Sequence, residues 1–133
     1  MIELNIMEIL QKLDSMELPK ADLVVGIGDG GVVPAALVAE RIDCERETIR
    51  FQYRGKDNKP IHEKPVRVGE FKIPKNVKKV LLVDDASMSG KTMEEAKKLL
   101  KDLDVKTLSF IGKADYVVFP EIDSCVKWPW SFS

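Results

Sequence analysis

The sequence predicts an α/β domain with a mostly parallel sheet, because a unit of apolar strand, glycine-containing turn and amphipathic helix occurs twice. Each unit opens with an apolar run too short for a helix, at residues 23–27 and 80–83. The chain has 133 residues, of which 44% are hydrophobic, enough for one domain to bury its own core. We therefore expect a single domain over residues 1–133.

The N-terminal half is predicted to contain a helix, a strand, a second helix and a second strand. Apolar residues at helical spacing before Pro19 predict the first helix, namely Ile6, Ile9, Leu10 and Leu13. The strand at residues 23–27 leads through a glycine-rich turn into a helix over residues 34–42, which tolerates Pro34 in its first turn. Residues 49–53 alternate between apolar and polar side chains, which predicts a strand with one wetter face.

The C-terminal half repeats the pattern. The strand at residues 80–83 leads into a helix that is expected to end near Leu103, and residues 107–111 predict a further strand. The inner face of that helix is assigned to Ala96, Leu99, Leu100 and Leu103. In such sheets ligands bind at the carboxyl ends of the strands, which is where both glycine turns lie.

Positive charge is concentrated between the two units. Residues 54–79 contain nine Lys or Arg and three Asp or Glu, a net charge of +6, which leaves −7 for the rest of the chain. Two interpretations stay open for this segment: a solvated loop or hairpin, and a flap that closes over an anionic ligand. His62 lies here and is expected to be solvated.

Composition argues against several classes of function. The net charge of −1 gives no basic field for nucleic acid. No apolar run approaches the ~18 residues that span a bilayer, and the N-terminus has no basic segment typical of a signal peptide. Cys44, Cys125 and His62 have no ligand-like spacing, so neither a disulfide nor a zinc site is expected. We expect a cytoplasmic protein with no nucleic-acid or membrane partner.

The second strand is followed by the residues that carry the chemistry. Asp84 and Asp85 are adjacent carboxylates, which repel each other unless a cation or a polyhydroxyl compensates them. The turn behind them ends in Ser-Gly-Lys-Thr at residues 89–92, at a helix N-terminus where free N–H groups and the helix dipole favour a phosphate. Together these features predict a site for a phosphorylated sugar.

Residues 80–92 resemble the phosphoribosyl pyrophosphate (PRPP) signature of type I phosphoribosyltransferases: four apolar residues, two acids, a short loop, a small hydroxyl residue, Gly, any residue and Thr. Residues 26–35 resemble the pyrophosphate loop of that family, and residues 113–116 and 126–130 resemble the base-binding hood of its purine-using members. The likeness extends over nearly all of residues 22–130. It implies a parallel-sheet core with a small C-terminal hood, and Mg²⁺-dependent transfer of ribose 5-phosphate from PRPP to a nucleobase, most closely a purine, with release of pyrophosphate.

The resemblance also implies a role for individual residues. Asp84 and Asp85 would be catalytic, holding the ribose hydroxyls directly or through water on Mg²⁺ and favouring positive charge at the anomeric carbon. The remaining substrate-binding residues would be Ser87, Ser89, Gly90, Lys91 and Thr92 for the 5-phosphate, Gly28, Asp29 and Gly30 for pyrophosphate, and Met88, Lys113 and Trp128 near the base. Lys113 would donate to an exocyclic oxygen of a 6-oxopurine.

The same resemblance places Tyr53 and Arg54 at the start of the family's closing loop, and implies PRPP, a nucleobase or a nucleoside monophosphate as ligands. Members of the family are often dimers, so a homodimer is a further expectation. Tyr116 is a second candidate for stacking on the base. An alternative role for Trp128 and Trp130 is to plug the end of the sheet.

Three positions depart from the family pattern. Asp29 stands where many members carry Lys or Arg, Met88 stands where 6-oxopurine enzymes often carry an Asp that assists proton removal, and Cys125 stands where an aromatic residue commonly stacks on the base. A second hypothesis therefore stays open: a catalytically weak or inactive domain that binds PRPP or a nucleotide in a regulatory role.

Other motifs fit less well. Gly26, Gly28 and Gly31 satisfy the G-x-G-x-x-G dinucleotide fingerprint, but no acidic residue follows at the end of a second strand. The Gly-Lys-Thr at residues 90–92 imitates the end of an NTPase P-loop, yet the glycine required five residues before Gly90 is Asp85. The acidic pair also imitates a receiver domain, for which too little chain remains.

Overall fold

The computed structural model of the protein describes residues 1–52 and 66–131. The helices in these ranges are α1 (Ile6–Ser15), α2 (Val32–Ile42) and α3 (Lys91–Leu99). The strands are β1 (Ile2–Glu3), β2 (Leu23–Ile27), β3 (Glu45–Gln52), β4 (Val66–Val68), β5 (Lys79–Ser87), β6 (Asp104–Gly112), β7 (Tyr116–Val117) and β8 (Val126–Lys127). Tyr53, Arg54 and His62 lie outside the described residues.

The central sheet has six strands in the order β4-β3-β2-β5-β6-β7. The pairs β2·β3, β2·β5, β5·β6 and β6·β7 are parallel, and only the edge strand β4 runs antiparallel, beside β3. Because β2 and β5 are neighbours, the two glycine turns that follow them meet at one edge of the sheet. The predicted α/β fold with a mostly parallel sheet is confirmed.

Helices cover both faces of the sheet. Val24 belongs to a core cluster that includes residues of α1 and α2, whereas its neighbours Leu23 and Val25 belong to a second cluster with Met93 and Ala96 of α3. Successive side chains of a strand point to opposite faces, so an uninterrupted apolar strand is explained by burial on both sides.

A small hood covers one end of the domain. It is built on a second sheet of two short parallel strands, β1 and β8, that joins the two ends of the described chain. Ile2 N donates to Cys125 O at 3.2 Å and Leu4 N donates to Lys127 O at 3.4 Å. Trp128 is buried beneath these strands, edge-on to Phe110 with 5.7 Å between ring centroids. The hood is therefore tied to the core by aromatic packing as well as by backbone hydrogen bonds.

Several element boundaries differ from expectation. Strand β5 continues to Ser87, so the two acids lie within the strand instead of after it, because β6 extends in parallel and pairs Ser87 with Gly112. Helix α3 ends at Leu99 instead of near Leu103. Leu99 is 46% exposed, contrary to its assignment to the inner face, since it lies about a quarter turn from the stripe formed by Met93, Ala96 and Leu100.

Within residues 1–52 and 66–131, no helix has the length and apolar character needed to cross a membrane.

Candidate active site

Two turns form the floor of the candidate site. Gly26 of β2 pairs with Val83 of β5, and the turn after β2 folds back against β5 so closely that a Cβ on Gly31 would lie 2.6 Å from Val83 O. Gly26 is equally confined, since its Cβ would lie 2.6 Å from Gly31 O. The glycines are needed here because backbone passes directly over backbone.

Asp84 and Asp85 lie beside this turn, half-buried near the end of β5. Asp85 N donates to Asp84 Oδ1 at 2.8 Å. A Cβ built on Gly30 would lie 2.7 Å from either carboxylate oxygen of Asp85, so the acid packs against a bare stretch of backbone. The structure therefore brings Gly30 and the acid pair into direct contact.

The acid pair is electrostatically strained. Burial, repulsion by Asp85 and a side-chain hydrogen bond with Asp85 raise the pKa of Asp84 from 3.8 to about 8. At neutral pH the pair therefore holds a proton that an exposed carboxyl would lose. A ligand that supplies positive charge or hydroxyl donors would stabilise such a pair. A carboxyl with a strongly shifted pKa near strand ends is typical of functional sites.

The turn after β2 offers fewer free donors than the sequence predicted. Gly28 N donates to Ile49 O at 2.7 Å, and Gly31 N donates to Ile27 O at 3.0 Å. The N–H groups of Asp29 and Gly30 have no acceptor among the residues that the structure describes. Gly28 therefore shapes the turn, with a φ of 58°, whereas Asp29 and Gly30 hold the donors that remain for an anion.

Asp29 is not an isolated charge. Arg50 Nε on β3 donates to Asp29 Oδ1 at 3.1 Å, and both side chains are exposed. The negative charge that departs from the family pattern is therefore accompanied by a positive one from the neighbouring strand. Arg50 is not among the site residues predicted from the sequence, although its place on the wetter face of a strand was the available signal.

The turn after β5 ends at the N-terminus of α3. Gly90 is the N-cap, with a φ of 79° and no side-chain cap. Among the described residues, the N–H groups of Ser89, Gly90, Thr92 and Met93 have no acceptor, as expected for the start of a helix without a cap. The buried Ser87 Oγ likewise has no partner there. These donors and the helix dipole favour an anion at this position.

A cavity of about 170 Å³ lies between the ends of β5 and β6 and the hood. Its lining is apolar except for one hydroxyl and one thiol: Ala86, Met88, Ile111, Ser124, Cys125, Val126 and Trp128. For comparison, an engineered apolar cavity of about 150 Å³ accepts benzene. One flat aromatic ring therefore fits, and Met88, Cys125 and Trp128 are brought together around it.

Trp128 has two environments. It lines the cavity, yet it is 4% exposed and stacks on Trp130 with 5.3 Å between ring centroids and 3° between ring planes. The packing role left open by the sequence is thus present, while stacking of Trp128 on a base stays a prediction. Tyr116 packs against the core and does not line this cavity.

Lys113 lies in the turn after β6, which hydrogen bonds hold in place. Its N–H donates to Ser87 O at 2.8 Å, and Gly112 reaches its φ of 97° in contact with the backbone of Ser87. The carboxylate of Asp115 closes the turn by accepting from Thr107 N at 2.9 Å. The backbone of Lys113 is therefore fixed beside β5, the strand that carries Asp84 and Asp85, and the residue is exposed.

The donor set suits magnesium only in combination with substrate. In the described ranges no group of three or more His, Cys, Asp or Glu side chains could hold a metal ion. Mg²⁺ is commonly held by one or two carboxylates together with substrate phosphates and water. Asp84 and Asp85 provide such a carboxylate pair, and its repulsion is the feature that a cation would relieve.

Comparison with known proteins agrees with this fold. The chain is similar to a purine phosphoribosyltransferase from Pyrococcus horikoshii Ot3, with 24% identity and a TM-score of 0.73 over 99% of this chain and 94% of the other. It is also similar to the xanthine-guanine-hypoxanthine phosphoribosyltransferase of Helicobacter pylori, with 17% identity and a TM-score of 0.69 over 93% and 84% of the two chains. A hypothetical protein from Neisseria gonorrhoeae with bound ppGpp has 26% identity and a TM-score of 0.66 over 94% and 81%.

A search of curated protein sequences finds no significant match. The sequence model of the phosphoribosyl transferase domain, however, matches residues 1–132. Since the match spans nearly the whole chain, the chain belongs to the phosphoribosyl transferase domain family.

Proposed function

We propose that the protein is a phosphoribosyltransferase that moves ribose 5-phosphate from PRPP to a nucleobase, most closely a purine, and releases pyrophosphate. The observation that carries this proposal is the half-buried acid pair, with the pKa of Asp84 raised to about 8, between two turns with free N–H donors. PRPP has a hydroxyl-bearing ring between two anionic ends, and the site offers acceptors between two groups of donors. Membership of the family and the likeness to purine phosphoribosyltransferases give further support.

Each end of PRPP is assigned to one turn. The 5-phosphate would bind at the N-terminus of α3, where Ser87, Ser89, Gly90, Lys91 and Thr92 are the candidate residues. Pyrophosphate would bind at the turn after β2, through the N–H groups of Asp29 and Gly30. The ring hydroxyls would then lie over Asp84 and Asp85, which join the two anion sites.

The six-membered ring of the base would enter the cavity under the hood, whose volume of about 170 Å³ accepts one flat ring. Its apolar lining suits the faces of a flat heterocycle, and Ser124 in that lining can hydrogen-bond to its edge. Lys113, two residues after the lining residue Ile111, is the second candidate donor. Met88 carries no proton acceptor of the kind that many 6-oxopurine enzymes place here. Removal of the proton from the base would therefore fall to water or to the departing pyrophosphate.

In the reaction, the bond between the anomeric carbon and pyrophosphate breaks, and its electron pair leaves with the pyrophosphate. A ring nitrogen of the base forms the new bond to that carbon and loses its proton. Positive charge develops on the sugar during this exchange, and the negative charge of the acid pair stabilises it. Mg²⁺, when bound by Asp84 or Asp85 with substrate oxygens, would neutralise charge on the pyrophosphate.

The test is to supply PRPP, Mg²⁺ and a panel of purines and pyrimidines and to measure pyrophosphate release and nucleoside monophosphate formation. Turnover with at least one base supports the proposal, whereas absence of turnover with all of them removes it. Asp84→Asn serves as the matched inactive control.

A second candidate function is a domain that binds PRPP or a nucleotide for regulation without turnover. The missing proton acceptor at Met88 favours it, as does the likeness to a protein with bound ppGpp. Calorimetry separates the two, because tight binding of PRPP or a nucleoside monophosphate without product formation supports the regulatory function. A cytoplasmic location and a homodimer stay predictions.

A further inference from the structure

Arg50 has unused hydrogen-bonding capacity at the edge of the site. Its Nε donates to Asp29, and its two terminal nitrogens have no acceptor among the described residues. An arginine carries five N–H donors in a planar fork that matches two oxygens of a phosphate. The side chain is 56% exposed, so a bound anion could reach the fork without unfolding any part of the strand.

Arg50 is also fixed in position relative to the turn after β2. The residue before it, Ile49, is buried and accepts the hydrogen bond from Gly28 N at 2.7 Å. On the other side of Asp29, Gly30 lies directly against the carboxylate of Asp85. The guanidinium therefore contacts the side chain of one of the two residues whose N–H groups are assigned to pyrophosphate, and the other, Gly30, adjoins Asp85.

The pairing with Asp29 is weak enough to be exchanged. The Asp29 side chain is 92% exposed, and exposed ion pairs contribute little to stability. A pyrophosphate group carries more negative charge than one carboxylate and can accept from two N–H groups of the fork at once. Arg50 thus has a stronger acceptor available whenever pyrophosphate occupies the turn.

We propose that Arg50 is a substrate-binding residue that recognises the pyrophosphate group of PRPP, and that Asp29 holds its guanidinium at the turn until substrate takes its place. The proposal rests on the proposed function and adds a cation to a turn that otherwise carries a negative charge. In this chain the positive charge comes from β3, beside the turn, instead of from the turn itself.

The test compares Arg50→Gln with the wild type by calorimetry in the presence of Mg²⁺. Loss of a charge-assisted, two-pronged contact is expected to raise the Kd of PRPP and of free pyrophosphate about tenfold. The Kd of a nucleoside 5′-monophosphate, which has no pyrophosphate, is expected to stay within about twofold. Arg50→Lys keeps the charge but not the fork and is expected to recover only part of the affinity.

Arg46→Gln is the matched control, because Arg46 is exposed on the same strand but pairs with Val24, toward the opposite end of β2. It is expected to leave all three Kd values unchanged. Asp29→Asn is expected to tighten pyrophosphate binding two- to fivefold, since it removes a repelling and competing charge.

The outcomes separate the two proposals. If the wild type binds neither PRPP nor pyrophosphate, the proposed function fails and this inference fails with it. If the wild type binds both and Arg50→Gln binds them equally well, only the role of Arg50 is overturned. If Arg50→Gln weakened the binding of the monophosphate by the same factor, the role of Arg50 would also be contradicted, because the contact would then not be specific to pyrophosphate.

Discussion

The two sides of the candidate site are built from different parts of the chain. On the sugar side, the acids lie within β5, a nine-residue strand that pairs with β6 along nearly its whole length. On the base side, the cavity wall depends on β1 and β8, which have two residues each and pair in only two positions. The difference suggests that the proposed reacting centre is held by the most extensively paired strands of the sheet, whereas the proposed base site rests on a local attachment that can change separately.

The largest effect that would sharpen this comparison is expected from Asp84→Asn and Asp85→Asn. When substrate and Mg²⁺ displace the proton that the pair holds, each substitution lowers the negative charge at the point where positive charge develops, so we expect kcat/KM to fall about 10²- to 10³-fold while the fold is retained. Pyrophosphate release measures the loss, and circular dichroism checks the fold. Activity within about threefold of the wild type would show that the reaction centre lies elsewhere.

A second prediction concerns the contact between the turn and Asp85. Gly30→Ala would place a Cβ 2.7 Å from both oxygens of Asp85, so the carboxylate or the turn must shift. We expect kcat/KM to fall about tenfold to fiftyfold, because small displacements at a reacting centre are costly. Steady-state kinetics with PRPP varied measures this effect.

Gly69→Ala is the control for Gly30→Ala, since Gly69 has a φ of 80° and no atom within 4 Å of its Cβ position. It strains the backbone at the end of β4, next to the partner of Arg50 but without contact with Asp85. We expect it to lower stability by about 1 kcal/mol, with a smaller effect on kcat/KM than Gly30→Ala. Equal kinetic effects of the two substitutions would mean that contact with Asp85 is not the cause.

A third prediction concerns how the free energy of unfolding depends on pH through Asp84. Because the pKa of Asp84 is raised from 3.8 to about 8, the folded protein keeps a proton that the unfolded chain has lost between these pH values. The unfolded state binds fewer protons, so the free energy of unfolding falls as pH rises from about 4 to 8. Asp84→Asn is expected to remove this slope and to be roughly 2–4 kcal/mol more stable than the wild type at pH 8.

Chemical denaturation at pH 5 and pH 8 checks that prediction. The difference between Asp84→Asn and the wild type should be small at pH 5 and grow toward pH 8. A constant difference would indicate that the substitution acts through packing. If Asp84→Asn is more stable than the wild type but has lost turnover, the repulsion within the acid pair lowers stability and is retained because the reaction needs it.

The sequence located more of the candidate sugar side than of the candidate base side, for physical reasons. Buried parallel strands are apolar throughout, and acids or glycines that interrupt them stand out, so Asp84 and Asp85 could be assigned from local pattern. Arg50 and Ser124 could not, because their positions depend on which strands are neighbours and on how the hood folds back. The continuation of β5 to Ser87 also depends on its partner, since β6 and not the local sequence supplies the pairing.

The smallest expected effect is on the base side, through β1. Deletion of residues 2–3 removes the hydrogen bond from Ile2 N to Cys125 O and leaves part of the cavity wall without its partner strand. Since one such bond contributes about 1 kcal/mol, we expect the KM of the base to rise about threefold to fivefold. The Kd of PRPP should not change, because none of the hydrogen bonds described for β1 involves the turns after β2 and β5.

The control for this deletion is Glu3→Gln, which removes only the exposed ion pair between Glu3 and Lys127, 3.5 Å apart. Exposed pairs contribute little, so this variant should bind base and PRPP as the wild type does. If the deletion weakens the binding of PRPP as much as the binding of the base, the hood and the sheet edge respond as one unit. The proposed independence of the two sides is then wrong. If only the base is affected, β1 positions the cavity wall without taking part in the sugar chemistry, and base preference can be altered there while Asp84 and Asp85 keep their geometry.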